Sequence, residues 1–431
     1  MNRITVNFEE TAGKVLPLHA VNNGPTKPLA EHTNGNFDLW KAAGIPYSRN
    51  HDVSGNNEHL VDISSVFPNF DADVDDPASY DFELTDEFIK TLLEAGTKIF
   101  YRLGQKIEHS VKKYNIFPPK DYSKWAKICE HIILHYNEGW ANGYHMGIEY
   151  WEIWNEPDLD PDDAEDHRTW AGTEAQFYDF FETASKYLKS KFPYLKIGGP
   201  ALAYRVEWGD RFLREMQKRE VPIDFFSWHI YANEVDHVLR RAGQIRSMLD
   251  KYGYGHAESI LNEWNYAKDT FLVSKQHVIT MKGGAFFAAS VLAVQQNQAI
   301  DMMMYYEAGP ASSLNGVFNF YDYAPFKTYY AIKMFNDLYQ LGTAVPAETD
   351  AEHVYVAAAK DKSGKTAVMI TYYLDEPDME DKTVELVLNG GPEQYELYLL
   401  DKDHDMEKAE WYKAGSKICL KNETVVLLKS L

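Results

Sequence analysis

The chain is poor in cysteine and contains no long apolar run. Its 431 residues include two cysteines, Cys129 and Cys419, and neither lies in a metal-type spacing. We therefore expect two isolated buried thiols, because nothing in the pattern indicates a disulfide framework. No apolar stretch reaches the roughly 20 residues that a membrane-spanning helix needs, so the sequence predicts no transmembrane segment.

Basic side chains are also scarce relative to acidic ones. The 43 Lys and Arg residues face 65 Asp and Glu residues, which gives a net charge of −22. Such a surface repels phosphate backbones and anionic lipids, so nucleic-acid and membrane partners are not expected. The first ten residues lack the apolar segment of a signal peptide. We expect a cytoplasmic protein, although a secreted chain with its signal trimmed would look the same.

Short apolar runs alternate with longer amphipathic stretches between residues 14 and 343. Eight short runs are typical of buried strands: Val15–Val21, Ile45–His51, Lys98–Leu103, Gly147–Trp154, Leu195–Gly199, Phe225–Tyr231, Ser259–Glu263 and Asp301–Tyr306. The predicted helices include Thr85–Glu94, Tyr122–Tyr136, Thr173–Lys189, Trp208–Lys218, Val238–Tyr252 and Lys275–Gln296. This alternation predicts an α/β protein with a (β/α)₈ TIM barrel. A doubly wound sheet is the alternative, but no Gly-rich dinucleotide fingerprint follows an early strand.

The pattern changes after residue 344 to short β-branched or aromatic runs separated by Gly, Asn and Asp turns. These runs are Val354–Ala359, Thr366–Tyr373, Thr383–Leu388, Tyr395–Leu400, Lys417–Leu420 and Thr424–Leu428. They predict a small accessory antiparallel β-sandwich over residues 344–431. The segment Arg3–Phe8 alternates in the same way. We therefore expect residues 1–13 to contribute a strand to the sandwich, with residues 14–343 forming the barrel.

Two Asn-Glu pairs close apolar runs that we predict to be barrel strands. Asn155-Glu156 ends the segment Tyr150–Pro157, and Asn262-Glu263 lies within Ile260–Trp264. In a parallel barrel, catalytic groups sit at the C-terminal strand ends. Retaining glycoside hydrolysis needs two carboxyls there, about 5–5.5 Å apart, one to protonate the leaving oxygen and one to attack the anomeric carbon. The pKa of Glu156 should then be raised, and Glu263 should have a lower one held by hydrogen-bond donors.

Period-2 alternation along the strand before Glu156 places other side chains inside the barrel. Glu152 and Trp154 are expected to point inward, and Trp151 and Ile153 outward against helices. A buried Glu152 needs a charged partner, which either Arg49 or Arg102 would supply. Asn155, next to the acid, is suited to hold a sugar 2-hydroxyl, with a simple loop cap as the alternative.

The segments around these pairs resemble glycoside hydrolase family 39, the β-xylosidase and α-iduronidase family of the retaining (β/α)₈ clan. The resembling segments are Tyr47–His51 (second strand), Trp151–Leu159 (acid/base strand), Ile197–Ala201 (fifth strand), Pro222–Tyr231 (sixth strand), Leu261–Asn265 (nucleophile strand, with Asn262 where Thr is usual) and Lys327–Leu338 (last barrel helix). The resemblance implies Glu156 as acid/base, Glu263 as nucleophile and a sandwich built from both chain ends. One departure is the segment Met302–Pro310, which lacks the family's Trp-containing run. There Glu307 either replaces the family's acidic group or faces water at the rim, so xylose specificity is not carried over.

Further substrate contacts are expected around the two acids. His229 and Tyr231 share parity on the predicted sixth strand, where either is able to bond Glu263 and keep it ionised; a satisfied core histidine is the alternative for His229. His51 is expected to contact a sugar hydroxyl, and Arg49 to orient acidic groups. The remaining substrate-binding candidates are Trp264, Tyr306 and Glu307.

No metal or cofactor is predicted. His131 and His135 are four residues apart but lack the Glu of the zinc-protease pattern, and we expect them on a solvated helix face. Hydrolysis by two carboxyls requires only water besides the substrate.

The sequence therefore predicts a retaining glycoside hydrolase that cleaves a terminal sugar from short oligosaccharides or glycosides. A β-xyloside comes first, because the resemblance implies it. The same mechanism on an arabinoside, galactoside or uronide is one alternative, and a carbohydrate-binding relative without catalysis is another. The expected partner is a small carbohydrate, and a homo-oligomer stays open.

Overall fold

Eight parallel strands form a closed barrel in chain order, as the sequence predicted. The computed structural model describes residues 2–28, 34–53, 60–309, 314–377 and 379–430. Strand β1 (Asn2–Asn7) precedes the barrel. The barrel strands are β2 (Ala20–Asn22), β3 (Tyr47–Asn50), β4 (Lys98–Leu103), β5 (Tyr150–Ile153), β6 (Lys196–Leu202), β7 (Phe225–Ala232), β8 (Glu258–Tyr266) and β9 (Met302–Tyr305). Strand β2 pairs with β9 and closes the cylinder.

Helices connect the strands and surround the barrel. They are α1 (Phe37–Ala43), α2 (Ile63–Val66), α3 (Glu83–Glu94), α4 (Tyr122–Glu138), α5 (Glu174–Lys191), α6 (Val206–Lys218), α7 (Val235–Lys251), α8 (Phe271–Val278), α9 (Met281–Asn297) and α10 (Lys327–Leu341). Local sequence sets several ends. The side chain of Thr173 accepts from the backbone N–H of Gln176 in a capping box at the start of α5, and Gly139 ends α4 in the left-handed conformation.

The predicted helix Lys275–Gln296 is in fact two helices, α8 and α9. Thr280 is extended and occupies the N-cap position of α9 without a side-chain capping bond. A Cβ on Gly283 would lie 2.4 Å from the carbonyl oxygen of Val278, so only glycine permits this close approach of the two helices. Within the described residues no single helix is long and apolar enough to cross a membrane. Two consecutive helical segments, Leu272–Val278 and Met281–Asn297, reach this length and apolar composition only when taken together, and their axes are bent by 79°.

The barrel interior changes from apolar to charged toward the C-terminal strand ends. An apolar layer is formed by Ala20, Tyr47, Phe100, Tyr150, Phe225, Ile260, Met302 and Met304. Two positions further along their strands lie Arg49, Arg102 and Glu152, all fully buried. Because side chains alternate with period 2, these charged groups lie directly above the apolar layer, toward the C-terminal strand ends.

The rest of the chain forms a two-sheet sandwich. Its strands are β10 (Thr343–Val345), β11 (Ala347–Thr349), β12 (Val354–Lys360), β13 (Thr366–Tyr372), β14 (Lys382–Asn389), β15 (Gln394–Leu400), β16 (Asp405–Lys413), β17 (Lys417–Leu420) and β18 (Thr424–Lys429). The sheet orders are β11-β1-β14-β17 and β10-β12-β13-β18-β15-β16. The expected pairing of Arg3–Phe8 with this sheet is present, although β1 runs parallel to β14. The domain limits 14–343 and 344–431 stay predictions.

Asp375, just after β13, ties the sandwich to the barrel. Its carboxylate accepts hydrogen bonds from Asn233 (2.7 Å), Tyr266 (2.9 Å) and Lys282 (2.5 Å). Lys268 lies 3.1 Å away. Asn233 follows β7 and Tyr266 ends β8, so one sandwich side chain contacts the ends of two neighbouring barrel strands.

Two minor expectations are wrong. Cys419 is exposed on β17, and only Cys129 is a buried thiol; both are free. His131 and His135 are buried instead of lying on a solvated face. The ring of His135 stacks on Phe82, 3.6 Å between centroids, and its Nε2 lies 3.0 Å from Asp86, because α4 packs this side against the segment that leads into α3.

Candidate active site

Glu156 reaches the barrel mouth because β5 ends in an irregular turn. Trp154 and Glu156 both have positive φ, 71° and 50°, which breaks the strand alternation after Ile153. The ring of Trp154 therefore packs outside the barrel against Trp170 and Phe180, and the prediction that it points inward is wrong. The backbone N–H of Glu156 donates to Ala201 on β6 (3.0 Å), which anchors the acid to the neighbouring strand.

Glu263 is delivered by a β-bulge. Leu261 is paired with Trp228 and Glu263 with His229, so Asn262 is an extra residue opposite β7. A bulge lets two consecutive side chains face the same side of a sheet and is common next to active sites. The Asn262 amide donates to Glu152 inside the barrel, and the Glu263 carboxylate accepts from Tyr231 (2.7 Å).

The two predicted catalytic carboxyls meet around His229. Nδ1 of His229 lies 2.7 Å from Oε1 of Glu156 and 3.6 Å from Oε2 of Glu263. One oxygen of each carboxyl and this nitrogen all lie within 4.8 Å of one another. His229 therefore lies between the two acids and is closer to Glu156, whereas Tyr231 is the residue that bonds Glu263.

The protonation of these groups follows from burial and nearby charges. Burial, together with the charge of Asp158, raises the pKa of Glu156 to about 8, against the opposing charge of Arg49. Burial lowers the pKa of His229 to about 4, so its imidazole is neutral near pH 7. The expected raised pKa of Glu156 is thus present.

Burial also acts on the pKa of Glu263. Burial raises its pKa, and the charge of Glu156 adds to this. His229, Arg49 and the Tyr231 hydroxyl oppose the increase without reversing it. The sequence predicted a lower pKa for Glu263 than for Glu156, held by hydrogen-bond donors. Those donors are present, and the order of the two pKa values stays a prediction.

Arg49 organises the floor of the site. Its fully buried guanidinium donates to Glu152 (2.7 Å), Glu263 (3.3 Å) and Asn155 Oδ1 (2.5 Å). Glu152 is thus the ion-pair partner that the sequence predicted, with Arg49 as its cation. The bond to Oδ1 fixes the Asn155 amide, whose Nδ2 has no hydrogen-bond partner within the described residues. Asn155 itself is 0% exposed and is not among the described residues that line the cavity, so its sugar contact stays a prediction.

Of the other residues predicted to contact the sugar, Tyr306 lines the cavity, whereas His51 and Glu307 are buried. Tyr306 lines the cavity, with its hydroxyl 3.4 Å from Asp52. His51 is fully buried, and its Nδ1 accepts from Arg102 (3.2 Å). Glu307 is 1% exposed and accepts from the Asn23 amide, so the alternative of a rim residue facing water is wrong.

Trp264 does not lie in the cavity. Its ring is 0% exposed and stacks on Phe287 of α9, 5.5 Å between centroids, outside the barrel. Because the bulge at Asn262 turns Glu263 inward, the next residue, Trp264, faces the helices. This placement corrects the expectation that Trp264 contacts the sugar.

The acids open into a cavity of about 750 Å³. Within the described residues its lining is Asp52, Ile107, His109, Glu156, Leu159, Arg168, Ala203, Tyr204, His229, Ile230, Tyr231, Arg241, Glu263, Tyr266, Ala267, Asp269, Thr270, Ser274, Tyr306 and Leu314. The sequence reasoning missed Asp52, Arg168, Tyr204 and Arg241. Asp52 alone had a usable signal, because it directly follows the strand-end residue His51.

Glu156, His229 and Glu263 also have the spacing of a metal site. Among the described residues, one group of potential ligands is close enough to hold a metal ion, with one ligand atom of each within 4.8 Å of the others: Glu156, His229 and Glu263. Their existing contacts with one another, Tyr231 and Arg49 already satisfy a purely acid–base arrangement.

Known proteins resemble this chain in sequence and in fold. The family described as "Glycosyl hydrolases family 39" matches residues 2–254. The β-xylosidase of Caldicellulosiruptor saccharolyticus is 29% identical over 253 residues, 54% of this chain and 47% of the relative. The β-xylosidase of Geobacillus stearothermophilus is 27% identical over 209 residues, 45% of this chain and 38% of the relative. The matches thus span less than half the length of these curated relatives.

A solved structure extends the likeness of the fold to the whole chain. The crystal structure of a glucosidase from Croceicoccus marinus superimposes with a TM-score of 0.81 at 21% identity, covering 100% of this chain and 98% of the other. The family match covers more than half of the residues and includes the Glu156 segment. This chain therefore belongs to glycosyl hydrolase family 39.

Proposed function

We propose that this protein is a retaining glycoside hydrolase that removes a terminal sugar from short oligosaccharides or glycosides, with a β-xyloside as the first candidate substrate. The observation that carries the proposal is the approach of the Glu156 and Glu263 carboxyls, with one oxygen of each within 4.8 Å. Retaining enzymes keep their two carboxyls about 5–5.5 Å apart, whereas inverting enzymes leave about 6.5–9.5 Å for a water.

The environments of the two acids support different roles. Glu156 has a pKa of about 8, so it carries a proton near pH 7 and donates it to the glycosidic oxygen. Glu263 attacks the anomeric carbon, and the guanidinium of Arg49 (3.3 Å) and the hydroxyl of Tyr231 (2.7 Å) favour its ionised form. The ionised Glu156 then takes a proton from water, which hydrolyses the glycosyl-enzyme.

The sugar is proposed from relatives as much as from geometry. Two curated relatives are β-xylosidases, and the solved structure with the same fold is a glucosidase. An arabinoside, galactoside or uronide remains the alternative, as does a binding protein without turnover. A panel of aryl glycosides, assayed for release of the phenol, separates these alternatives directly.

The roles of the two acids are tested with alanine variants and azide. In Glu156→Ala, a 2,4-dinitrophenyl glycoside needs little protonation, so its first step should survive and the glycosyl-enzyme should accumulate. Azide needs no general base, so it should restore turnover and yield a glycosyl azide of retained configuration. The acid/base contribution is roughly 10²–10⁴-fold, so the slow second step should be easy to measure.

Glu263→Ala is the matched control. It should form no glycosyl-enzyme with any substrate, because the nucleophile is gone. Recovery of a retained product with azide in Glu263→Ala, and not in Glu156→Ala, would reverse the two roles. A cytoplasmic location and a homo-oligomer stay proposals made from the sequence.

A further inference from the structure

One wall of the catalytic cavity carries an arginine without a carboxylate partner. Arg241, in the second turn of α7, lines the cavity and is half-buried. Its guanidinium makes one long hydrogen bond, 3.4 Å, to the carbonyl oxygen of Tyr204. In the described part of the chain no carboxylate oxygen lies within 4.0 Å of it; Asp158 and Glu207 act on it only from further away.

The second arginine of the cavity provides the contrast. Arg168 is held by Asp160 through contacts of 2.6 Å and 3.1 Å, so its charge is already neutralised. A half-buried charge without a partner is costly in a folded protein. Burial accordingly lowers the pKa of Arg241. In a chain with a net charge of −22, an arginine left unpaired beside the catalytic acids calls for an anionic ligand.

The position of Arg241 indicates which part of the substrate it meets. Leu159 and Arg168 follow β5, Tyr204 follows β6, and Ile230 and Arg241 come from β7 and α7, so this wall adjoins the acid Glu156. The opposite side, beside Glu263, contains Asp52 and Tyr306 from the segments after β3 and β9. Since the acid must approach the glycosidic oxygen, the leaving group lies along the Arg241 wall.

Tyr204 gives this wall a second recognition element. Its side chain lines the cavity and is 55% exposed, so its ring is free to stack on a sugar or an aryl group. The guanidinium of Arg241 is held beside it through the Tyr204 carbonyl. An aromatic face next to an unpaired guanidinium suits a ring that carries a carboxylate, because the planar fork of arginine matches the two carboxylate oxygens.

We propose that Arg241 and Tyr204 form a subsite for the leaving group, and that this subsite favours glycosides whose leaving group bears a carboxylate. Phenolic acids and uronic acids share this chemistry. The inference rests on the proposed hydrolase function and concerns the part of the substrate that leaves, whatever sugar is cleaved.

The test compares a charged and a neutral leaving group in three proteins. The substrates are the 4-carboxyphenyl β-xyloside and its methyl ester, assayed with the wild type, Arg241→Gln and Arg240→Gln. Arg240 is the matched control, since it is the neighbouring arginine of α7 but is exposed and outside the catalytic cavity. The ratio of kcat/KM for the two substrates is measured in each protein, and comparing this ratio between proteins cancels the intrinsic difference between the leaving groups.

Arg241→Gln should lower kcat/KM for the carboxylate substrate by about tenfold or more through KM, since the charge-assisted hydrogen bonds to the carboxylate are lost. The value for the methyl ester should stay within about twofold, and Arg240→Gln should change neither. Equal losses on both substrates, or no loss on either, would overturn the proposal. A uronic-acid-terminated disaccharide in a parallel arm shows whether the carboxylate comes from a sugar acid or a phenolic acid.

Different experiments contradict the proposed subsite and the proposed hydrolase function. If the wild type does not cleave the methyl ester or any other neutral glycoside, the proposed hydrolase function falls. Calorimetric titration of the 4-carboxyphenyl xyloside into wild type and Arg241→Gln still measures the subsite in that case. Equal affinity of the two proteins would then exclude the carboxylate subsite.

Discussion

At the scale of single residues, the proposed role of Glu156 as general acid predicts the alkaline limit of activity. Burial of the Glu156 carboxyl is the main cause that raises its pKa to about 8, and the charge of Asp158 adds to it. We expect kcat/KM for a neutral glycoside with a poor leaving group to fall as the pH rises above about 8, because the free enzyme loses its acid there. For a 2,4-dinitrophenyl glycoside, the same fall of kcat/KM at alkaline pH should be much weaker, since its leaving group needs little protonation. An equally steep fall in Glu156→Gln would assign the titration to another group.

The two acids could be located from sequence, whereas their neighbours could not. Glu156 and Glu263 stand out because each follows Asn at the end of an apolar run, and strand ends share one rim in a barrel. Arg168, Tyr204 and Arg241 lie in loops or at a helix start. Their distance from the acids depends on the path of those loops, which no periodic pattern encodes. The sequence therefore did not identify the two arginines that line the pocket.

At the scale of elements, the active site sits where strand regularity breaks down. Alternation correctly placed Glu152 inside and Trp151 outside, because β5 is regular there. It was wrong for Trp154, where positive φ ends the strand, and for Trp264, which follows the bulge at Asn262. A bulge has no sequence signature when both of its residues are polar, so the sequence predicts the strand but not the face of its last residues.

Gly198 on β6 tests how closely β6 and β7 must approach each other. A Cβ on Gly198 would lie 2.2 Å from the carbonyl oxygen of Phe225 and 2.7 Å from its ring. Gly198→Ala should therefore force the strands apart, cost about 1–3 kcal/mol and reduce activity, because β6 anchors Glu156 and β7 carries His229. Denaturant unfolding and kcat/KM measure both effects.

Gly243 in α7 is the control for that substitution. Nothing lies within 4 Å of a Cβ built there, and alanine is favoured over glycine inside a helix by about 0.5–1 kcal/mol. Gly243→Ala should therefore stabilise the protein and leave activity unchanged. A destabilisation of similar size in both variants would contradict the role of strand approach at Gly198.

At the scale of the whole molecule, Asp375 links the sandwich to the cavity wall, since its barrel partner Tyr266 lines the cavity. Burial would raise the pKa of Asp375, but bonds from Lys282, Asn233, Lys268 and Tyr266 outweigh it and hold the pKa at about 2. A lowered pKa contributes stability above the ordinary value of 3.8, and this stability is lost as the pH falls toward about 2. Asp375→Asn should be less stable than wild type at pH 6, with the difference shrinking as the pH falls below 4 in parallel unfolding curves. A difference independent of pH would show that the charge does not matter.

The place of β1 between β11 and β14 also has a consequence for biosynthesis. The backbone N–H of Arg3 bonds Asp350 (2.6 Å), a residue 347 positions later. At roughly 5–20 residues per second on the ribosome, β1 waits on the order of 17–70 s for β11, and longer for β14. During that time Ile4 and Val6, both fully buried in the finished sheet, have no native neighbours. The alternating Arg3, Thr5 and Asn7 then keep one face of the waiting segment polar, which limits its pairing with other nascent chains.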